Sequence, residues 1–181
     1  PPARPFHVEA LPEEAAREAV RLARRLALPL EGYTADGGFF VEGDSPLLEA
    51  HQRLLGVEAE GADLLRLSSP LVRLQVLAEG EAPVERLLEA LPRGLQAHVA
   101  ESPKMPGVRF VSLTKEGVSK LSAARLVAEA YGLPLSECAM VGDGENDLEL
   151  LRAVGVGIAM GNAPPSVKRA AQRVVAPVEA C

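Results

Sequence analysis

The chain reads GDGENDLELL over residues 142–151, directly after an apolar run that ends at Val141. This order predicts a buried strand, a glycine-rich turn and then an amphipathic helix. Asp143, Asn146 and Asp147 fall within the turn, although the chain holds only five Asp and two Asn among 181 residues. Open α/β sheets bind ligands at the carboxyl ends of their strands. Two carboxylates and an amide at such an end favour a hard cation such as Mg²⁺.

A plainer interpretation is that Asn146 or Asp147 only caps the following helix, because Asp and Asn are common in turns and at helix starts. The next segment argues against capping alone. Residues 156–160 predict a second buried strand, which is followed by Gly161-Asn162-Ala163, and Pro164-Pro165 opens another helix. Both Asn residues of the chain therefore follow strand ends in two consecutive strand–loop–helix units.

Lys120 is a further candidate for function. The pattern predicts a helix over residues 119–131, and Lys120 falls in its first turn, where the helix dipole disfavours a cation. A residue in a locally unfavourable position is a candidate for a functional role. The alternative is an ordinary solvated lysine, although the chain carries only four Lys against fifteen Arg.

The C-terminal part of the chain resembles the corresponding part of a haloacid dehalogenase (HAD) superfamily phosphatase of the Cof-type branch. The resemblance rests on GVSKLSAARLVAEAYGL over residues 117–133 and on CAMVGDGENDLELLRAVGVGIAMGNA over residues 138–163. It implies an α/β fold with a HAD-like Rossmannoid core, of which only the C-terminal part is present. It also implies an α/β cap domain containing an antiparallel sheet over residues 1–114, and the core part over residues 115–181.

The same resemblance implies a role for each candidate residue. Asp143 is a Mg²⁺ ligand, and Asp147 is the second acid of the metal site, which supports the ion or its waters. Lys120 and Asn146 are then the catalytic residues that bind the phosphate and stabilise its charge. The implied activity is Mg²⁺-dependent hydrolysis of small phosphorylated metabolites, such as sugar phosphates, through an aspartyl-phosphate.

The sequence departs from the family pattern at the nucleophile. The family's nucleophile lies in an Asp-x-Asp-Gly-Thr motif, which the 181 residues lack. The nearest match, Thr34-Ala35-Asp36-Gly37-Gly38, lies between two runs typical of a β-hairpin, so we reject it as a catalytic site. The chain starts where the cap would start, which predicts that the N-terminal half of the core belongs to a longer parent protein. The 181 residues alone are then expected to be inactive.

Three other interpretations fit part of the pattern. The phosphorylation domain of P-type ion pumps resembles these motifs too, but no segment here is apolar enough to span a membrane. A second is a non-catalytic metal- or phosphate-binding fragment that has lost the nucleophile. An accidental match is the third.

Composition argues against several classes of protein. The net charge is −6 and no basic stripe is present, which argues against a nucleic-acid binder. No secretory signal is recognisable, and Cys138 and Cys181 stand in no metal or redox motif, so we expect a cytoplasmic protein in which Cys138 is a small core residue. His7, His51 and His98 lack a second ligand at metal spacing and are expected to be structural or surface residues.

Hydrophobic periodicity predicts the elements of the N-terminal region. We expect a strand at residues 6–8, a helix at 13–28, a hairpin at 30–42, a helix at 46–55, a strand at 71–77, a helix at 83–91, and strands at 95–100 and 108–113.

Overall fold

The computed structural model describes residues 6–180, apart from the side chain of Glu179. The chain divides into two compact units, Pro1–Glu116 and Gly117–Cys181. Each unit has its own sheet flanked by helices, so the predicted α/β class is confirmed. Within residues 6–180, no helix combines the length and the apolar character needed to cross a membrane.

The first unit is built on a six-stranded sheet with the strand order β3-β2-β1-β4-β6-β5. Neighbouring strands are antiparallel, except that β2 and β3 are parallel. Its elements are α1 (Glu13–Arg25), β1 (Leu30–Thr34), β2 (Phe39–Glu42), α2 (Pro46–Leu55), β3 (Glu60–Gly61), β4 (Leu71–Glu79), α3 (Ala82–Glu89), β5 (Leu95–Ser102) and β6 (Met105–Lys115).

The two faces of this sheet differ in what covers them. Helices α1 and α3 pack on one face, where Val20 and Leu87 join Leu74, Val111 and Leu113 in the main core. Helix α2 packs on the opposite face, over a smaller cluster formed by Leu48, Leu77, Met105, Val108 and Phe110. Apolar side chains at alternate strand positions thus face the two layers of helix, as the two-residue period of a strand requires.

Helix α1 and the predicted strand at residues 6–8 are among the elements of the first unit that differ from the structure. Helix α1 ends at Arg25 rather than at residue 28, because Ala27 takes a positive φ of 53° and the N–H of Leu28 donates back to the carbonyl of Ala23. That bond is typical of a helix end in which one residue is left-handed. The predicted strand at residues 6–8 was wrong: within the described residues this segment has no strand partner.

The second unit is a three-stranded parallel sheet with the order β7-β8-β9. Its elements are α4 (Lys120–Ala130), β7 (Ala139–Gly142), α5 (Leu148–Ala153), β8 (Val156–Ala159), α6 (Pro165–Ala170) and β9 (Arg173–Val174). Leu151 of α5 and Val167 of α6 are fully buried and pack with Ala159 and Ala163 on one face of the sheet.

The opposite face of this second sheet is not covered within the second unit. Val141 of β7 is 56% exposed, and Val156 of β8, on the same face, is 37% exposed. The two predicted strands exist, but the prediction that they are buried was wrong for this face. Cys138 was likewise misjudged, since it lies just before β7 and is only half-buried.

Candidate active site

The polar turn of the sequence lies at the carboxyl end of β7. Strand β7 ends at Gly142, and a single turn of 3-10 helix, Glu145–Asp147, leads directly into α5. Strand β8 runs parallel to β7, and the N–H of Met160 donates to the carbonyl of Gly142 at 3.0 Å. The ends of two parallel strands therefore meet here, at the edge where α/β sheets bind ligands.

Asp147 organises this turn. Its side chain is only 2% exposed, and its Oδ2 accepts hydrogen bonds from the backbone N–H groups of Asp143 at 3.0 Å and Gly144 at 3.1 Å. A Cβ at Gly142 would lie 2.7 Å from the same oxygen, so a glycine is required where the carboxylate folds back over the strand end. The turn is thus held by one buried acid rather than by contacts between its exposed residues.

Lys120 reaches the same carboxylate. It is the first residue of α4, directly after Ser119, whose hydroxyl caps the helix by accepting from the N–H of Ser122 at 3.1 Å. Side chains of a helix lean toward its N-terminus, which directs Lys120 away from the helix body. Its Nζ donates to Oδ1 of Asp147 at 2.5 Å while about half of the side chain stays exposed. One ammonium is therefore held at the polar turn and remains accessible.

The charge of Asp147 is set by opposing effects. Burial disfavours the carboxylate, but the hydrogen bond from Lys120 and those from the backbone of Gly144 and Asp143 outweigh it, so that the pKa of Asp147 lies below its ordinary value. The side chain is therefore ionised at neutral pH and acts only as an acceptor.

Asp143 and Asn146 stand at the exposed side of the turn. Both residues are exposed, and within residues 6–180 the carboxylate of Asp143 takes part in no hydrogen bond or ion pair. Residues 6–180 contain no cluster of three or more His, Cys, Asp or Glu side chains arranged to hold a metal ion. The donors present nevertheless fit Mg²⁺, which keeps several waters and needs only one or two carboxylates beside phosphate oxygens.

All four sequence candidates thus belong to one small region of the second unit. The structure adds two features that the sequence did not indicate. Asp147 is a buried organiser of the turn, and Gly142 is required by the close approach of its carboxylate. In the sequence, Gly142 is recognisable only as a glycine between a predicted strand and an aspartate. That pattern is too common to show by itself that a glycine is required there.

Comparison with known proteins identifies the family. The model of the haloacid dehalogenase-like hydrolases matches residues 5–180, nearly the whole chain. The chain belongs to the haloacid dehalogenase-like hydrolases. Among curated HAD-like relatives, the HMP-PP phosphatase of Cronobacter sakazakii is 31% identical over 137 residues, which are 73% of this chain and 48% of that protein.

Solved structures of HAD-like proteins share the fold. A phosphatase of this superfamily from Bacteroides thetaiotaomicron superimposes with a TM-score of 0.78 and 26% identity, covering 96% of this chain and 63% of that one. A HAD subclass IIB sugar phosphatase superimposes with a TM-score of 0.76 and 22% identity, over 95% and 64% of the two chains. The Cof-type resemblance of the sequence is confirmed. The chain spans about half the length of the curated relative and under two thirds of these structures.

Proposed function

We propose that this chain is part of a Mg²⁺-dependent phosphomonoester hydrolase that acts on small phosphorylated metabolites through an aspartyl-phosphate. One observation carries the proposal: Lys120 is held 2.5 Å from the buried Asp147 at a strand end that also presents Asp143 and Asn146. A fixed ammonium beside exposed oxygen and amide groups suits a phosphate dianion. The family, and relatives named as phosphatases, support the reaction class.

In this proposal each residue at the turn has a separate task. Asp143 and, behind it, Asp147 hold Mg²⁺, which when bound polarises the phosphate and offsets its negative charge. Lys120 donates to a phosphate oxygen, and its pairing with Asp147 keeps it oriented when no substrate is present. Asn146 offers its amide N–H to the same phosphate. Donors fixed in advance stabilise charge in the transition state without reorganising.

We propose that the nucleophilic aspartate lies in a part of the parent protein outside these 181 residues. The uncovered apolar face of the second sheet supports this, because exposed valines such as Val141 and Val156 favour burial against a further layer. We further propose that residues 1–114 are a cap that selects the substrate and residues 115–181 belong to the catalytic core. The division of the chain at Glu116 and Gly117 supports this assignment.

Changing Asp143 to Asn tests the proposed metal site. In the intact parent enzyme this change should raise the Mg²⁺ concentration needed for half-maximal turnover by about 10- to 100-fold, because a charged ligand is lost from a site with few protein ligands. The measurement is a Mg²⁺ titration of phosphate release from a panel of sugar phosphates.

The exposed Glu149 on α5 provides the matched control. Its change to Gln removes one carboxylate close to the turn and should leave the Mg²⁺ requirement within about twofold, since surface substitutions have small effects. An unchanged Mg²⁺ requirement in the Asp143→Asn enzyme would remove Asp143 from the metal site. The 181 residues alone should release no phosphate.

A further inference from the structure

Strand β5 forms one edge of the six-stranded sheet, and much of it is exposed. It runs over eight residues, Leu95–Ser102, whereas β3 at the opposite edge has two. Among the strands of residues 6–180, β5 pairs with β6 alone. All four residues from His98 to Glu101 are exposed. An exposed edge of this length presents a row of backbone donors and acceptors to which another strand can bind.

Edge strands usually carry features that prevent such pairing, chiefly Lys, Pro and bulges. Strand β5 contains neither Lys nor Arg nor Pro. Its register with β6 is regular from Leu95 to Glu101, and the irregularity between Glu101 and Ser102 lies only at its end. The one acidic side chain of the strand, that of Glu101, forms an ion pair with Arg109 of β6, which offsets its charge. The edge is therefore poorly protected against a further strand.

The backbone groups on the open side of β5 belong to alternate residues. The N–H of Glu116 donates to the carbonyl of Gly94 at 2.9 Å, directly next to the register pair of Leu95 with Lys115. In an antiparallel pair, hydrogen-bonded and non-hydrogen-bonded positions alternate along the strand. The even-numbered positions of β5 therefore bond to β6, and the N–H and C=O groups of residues 97, 99 and 101 point away from it.

A row of valines crosses the sheet and ends at this edge. Val76 of β4 is in register with Val111 of β6, and Val111 is in register with Val99 of β5. Val76 and Val111 are fully buried in the main core, but Val99 is 39% exposed. The apolar row thus reaches the edge of the sheet without being closed there. A further strand with an apolar residue opposite Val99 would bury it.

We propose that β5 pairs with β5 of a second copy of this chain, antiparallel and about a twofold axis at Val99. A twofold contact uses the same surface on both subunits, so that surface must be complementary to itself. Strand β5 meets this condition, because Val99 then lies opposite the same residue of the second copy and Ala97 lies opposite Glu101. The valine row continues from one sheet into the other, and no two like charges are opposed. This inference goes beyond the proposed phosphatase function and does not depend on it.

The residues of β5 favour this register over a twofold axis at His98. An axis at His98 would place two imidazoles directly opposite each other and Leu95 opposite Glu101. The N–H of Leu95 already donates to the carbonyl of Pro92 at 3.3 Å, so it is not available for that ladder. With the axis at Val99, each outward N–H and C=O of residues 97, 99 and 101 meets a partner, and apolar side chains meet at the centre.

Sedimentation velocity of the intact parent protein tests the dimer. Over concentrations of about 1–100 µM the protein should show a concentration-dependent dimer. Val99→Lys should raise its dissociation constant at least about tenfold, because two ammonium groups are then opposed at the axis. Val57→Lys is the matched control, since Val57 is 52% exposed in the same unit, just before β3 at the opposite edge of the sheet. It should leave the dissociation constant within about twofold, and circular dichroism verifies that both variants are folded.

Disulfide cross-linking tests the register without relying on the lysine variant. In the proposed dimer the two Cα atoms of residue 99 lie about 5.5 Å apart, within the range that a disulfide spans. The two Cα atoms of residue 97 lie more than about 13 Å apart, which is too far. Under mild oxidation, Val99→Cys should form a covalent dimer and Ala97→Cys should not. The unchanged protein, oxidised in parallel, controls for Cys138 and Cys181, and mass spectrometry identifies the linked peptides.

Three results would overturn the proposal. The first is a monomer at every concentration, as expected if another part of the parent protein covers β5. The second is a dimer that Val99→Lys leaves unchanged, which would place the interface elsewhere. The third is cross-linking of Ala97→Cys as efficient as that of Val99→Cys, which would exclude a twofold axis at Val99. A dimer weakened by Val99→Lys and linked through Val99→Cys supports the proposal whether or not the protein hydrolyses phosphate esters.

Discussion

Replacing Asp147 by Ala should lower the phosphatase turnover of the intact parent enzyme by about 10²- to 10³-fold, the range expected when a positioned charge donor is lost from an active site. Asp147 has this effect because it holds neighbouring groups of the site in position. Its Oδ1 holds the ammonium of Lys120, and its Oδ2 holds the backbone of Asp143 and Gly144. Without it, the lysine is free to rotate and the turn that presents Asp143 loses its fixed shape.

The same change should also reduce stability. The backbone N–H groups of Asp143 and Gly144 lose the carboxylate that accepts from them, and an unsatisfied donor costs about 1–3 kcal/mol where water cannot replace the bond. Thermal unfolding in parallel with steady-state kinetics separates the two effects, because assays far below the unfolding temperature report turnover of folded enzyme. The exposed Glu149→Gln variant should change neither quantity.

A double-mutant cycle shows whether Lys120 and Asp147 act as a unit. If they do, Lys120→Met combined with Asp147→Ala should cost turnover little more than the more damaging single change, because each change already breaks the same pair. Strictly multiplicative losses would mean that the 2.5 Å contact between them has no part in catalysis. Full activity in Asp147→Ala would overturn the role of the whole turn.

The second unit could be predicted well because its signals are local. The strand, the GDGEND turn and the helix are adjacent in the chain, so spacing alone gives their order. Burial was harder. Val141 reads as a core residue by its type, yet it is 56% exposed, because burial depends on what packs against a face and not on the residue itself. The bond between Lys120 and Asp147 joins residues 27 positions apart and was not predicted, because the resemblance gave each residue a role at the same site without pairing them.

In the first unit, by contrast, the hydrogen bonds of interest join residues that are far apart in the sequence, so local patterns do not predict them. The hairpin, helix α2 and strands β4 to β6 follow from periodicity, yet nothing in the sequence distinguishes Glu31 from a solvated strand residue. Its partners Gln75 and His51 lie 44 and 20 positions away and come from different elements. Only the register of β1 against β4, and the packing of α2, bring them together. His51, expected to be structural or a surface residue, is buried and holds that carboxylate.

Replacing Glu31 by Leu should lower the free energy of unfolding by about 3–5 kcal/mol, the usual loss when one member of a buried polar pair is removed. Leucine is similar in size, so the effect is not a cavity. It arises because the donors of Tyr33, Gln75 and His51 lose their acceptor where the side chain of residue 31 is fully buried. Urea unfolding followed by circular dichroism measures it, and an unchanged m value excludes a change in the unfolded state.

Two further variants decide between a polar network and a simple packing role for Glu31. The exposed Glu85→Gln on α3 removes a carboxylate from the same unit and should stay within about 0.5 kcal/mol of the unchanged protein. Adding His51→Leu to Glu31→Leu should recover about 1 kcal/mol or more, because one orphaned donor disappears and an apolar pair replaces a broken polar one. If the double variant is instead the less stable of the two, the side chains of Glu31 and His51 contribute by packing, and the hydrogen bonds to Glu31 are not what stabilises this part of the sheet.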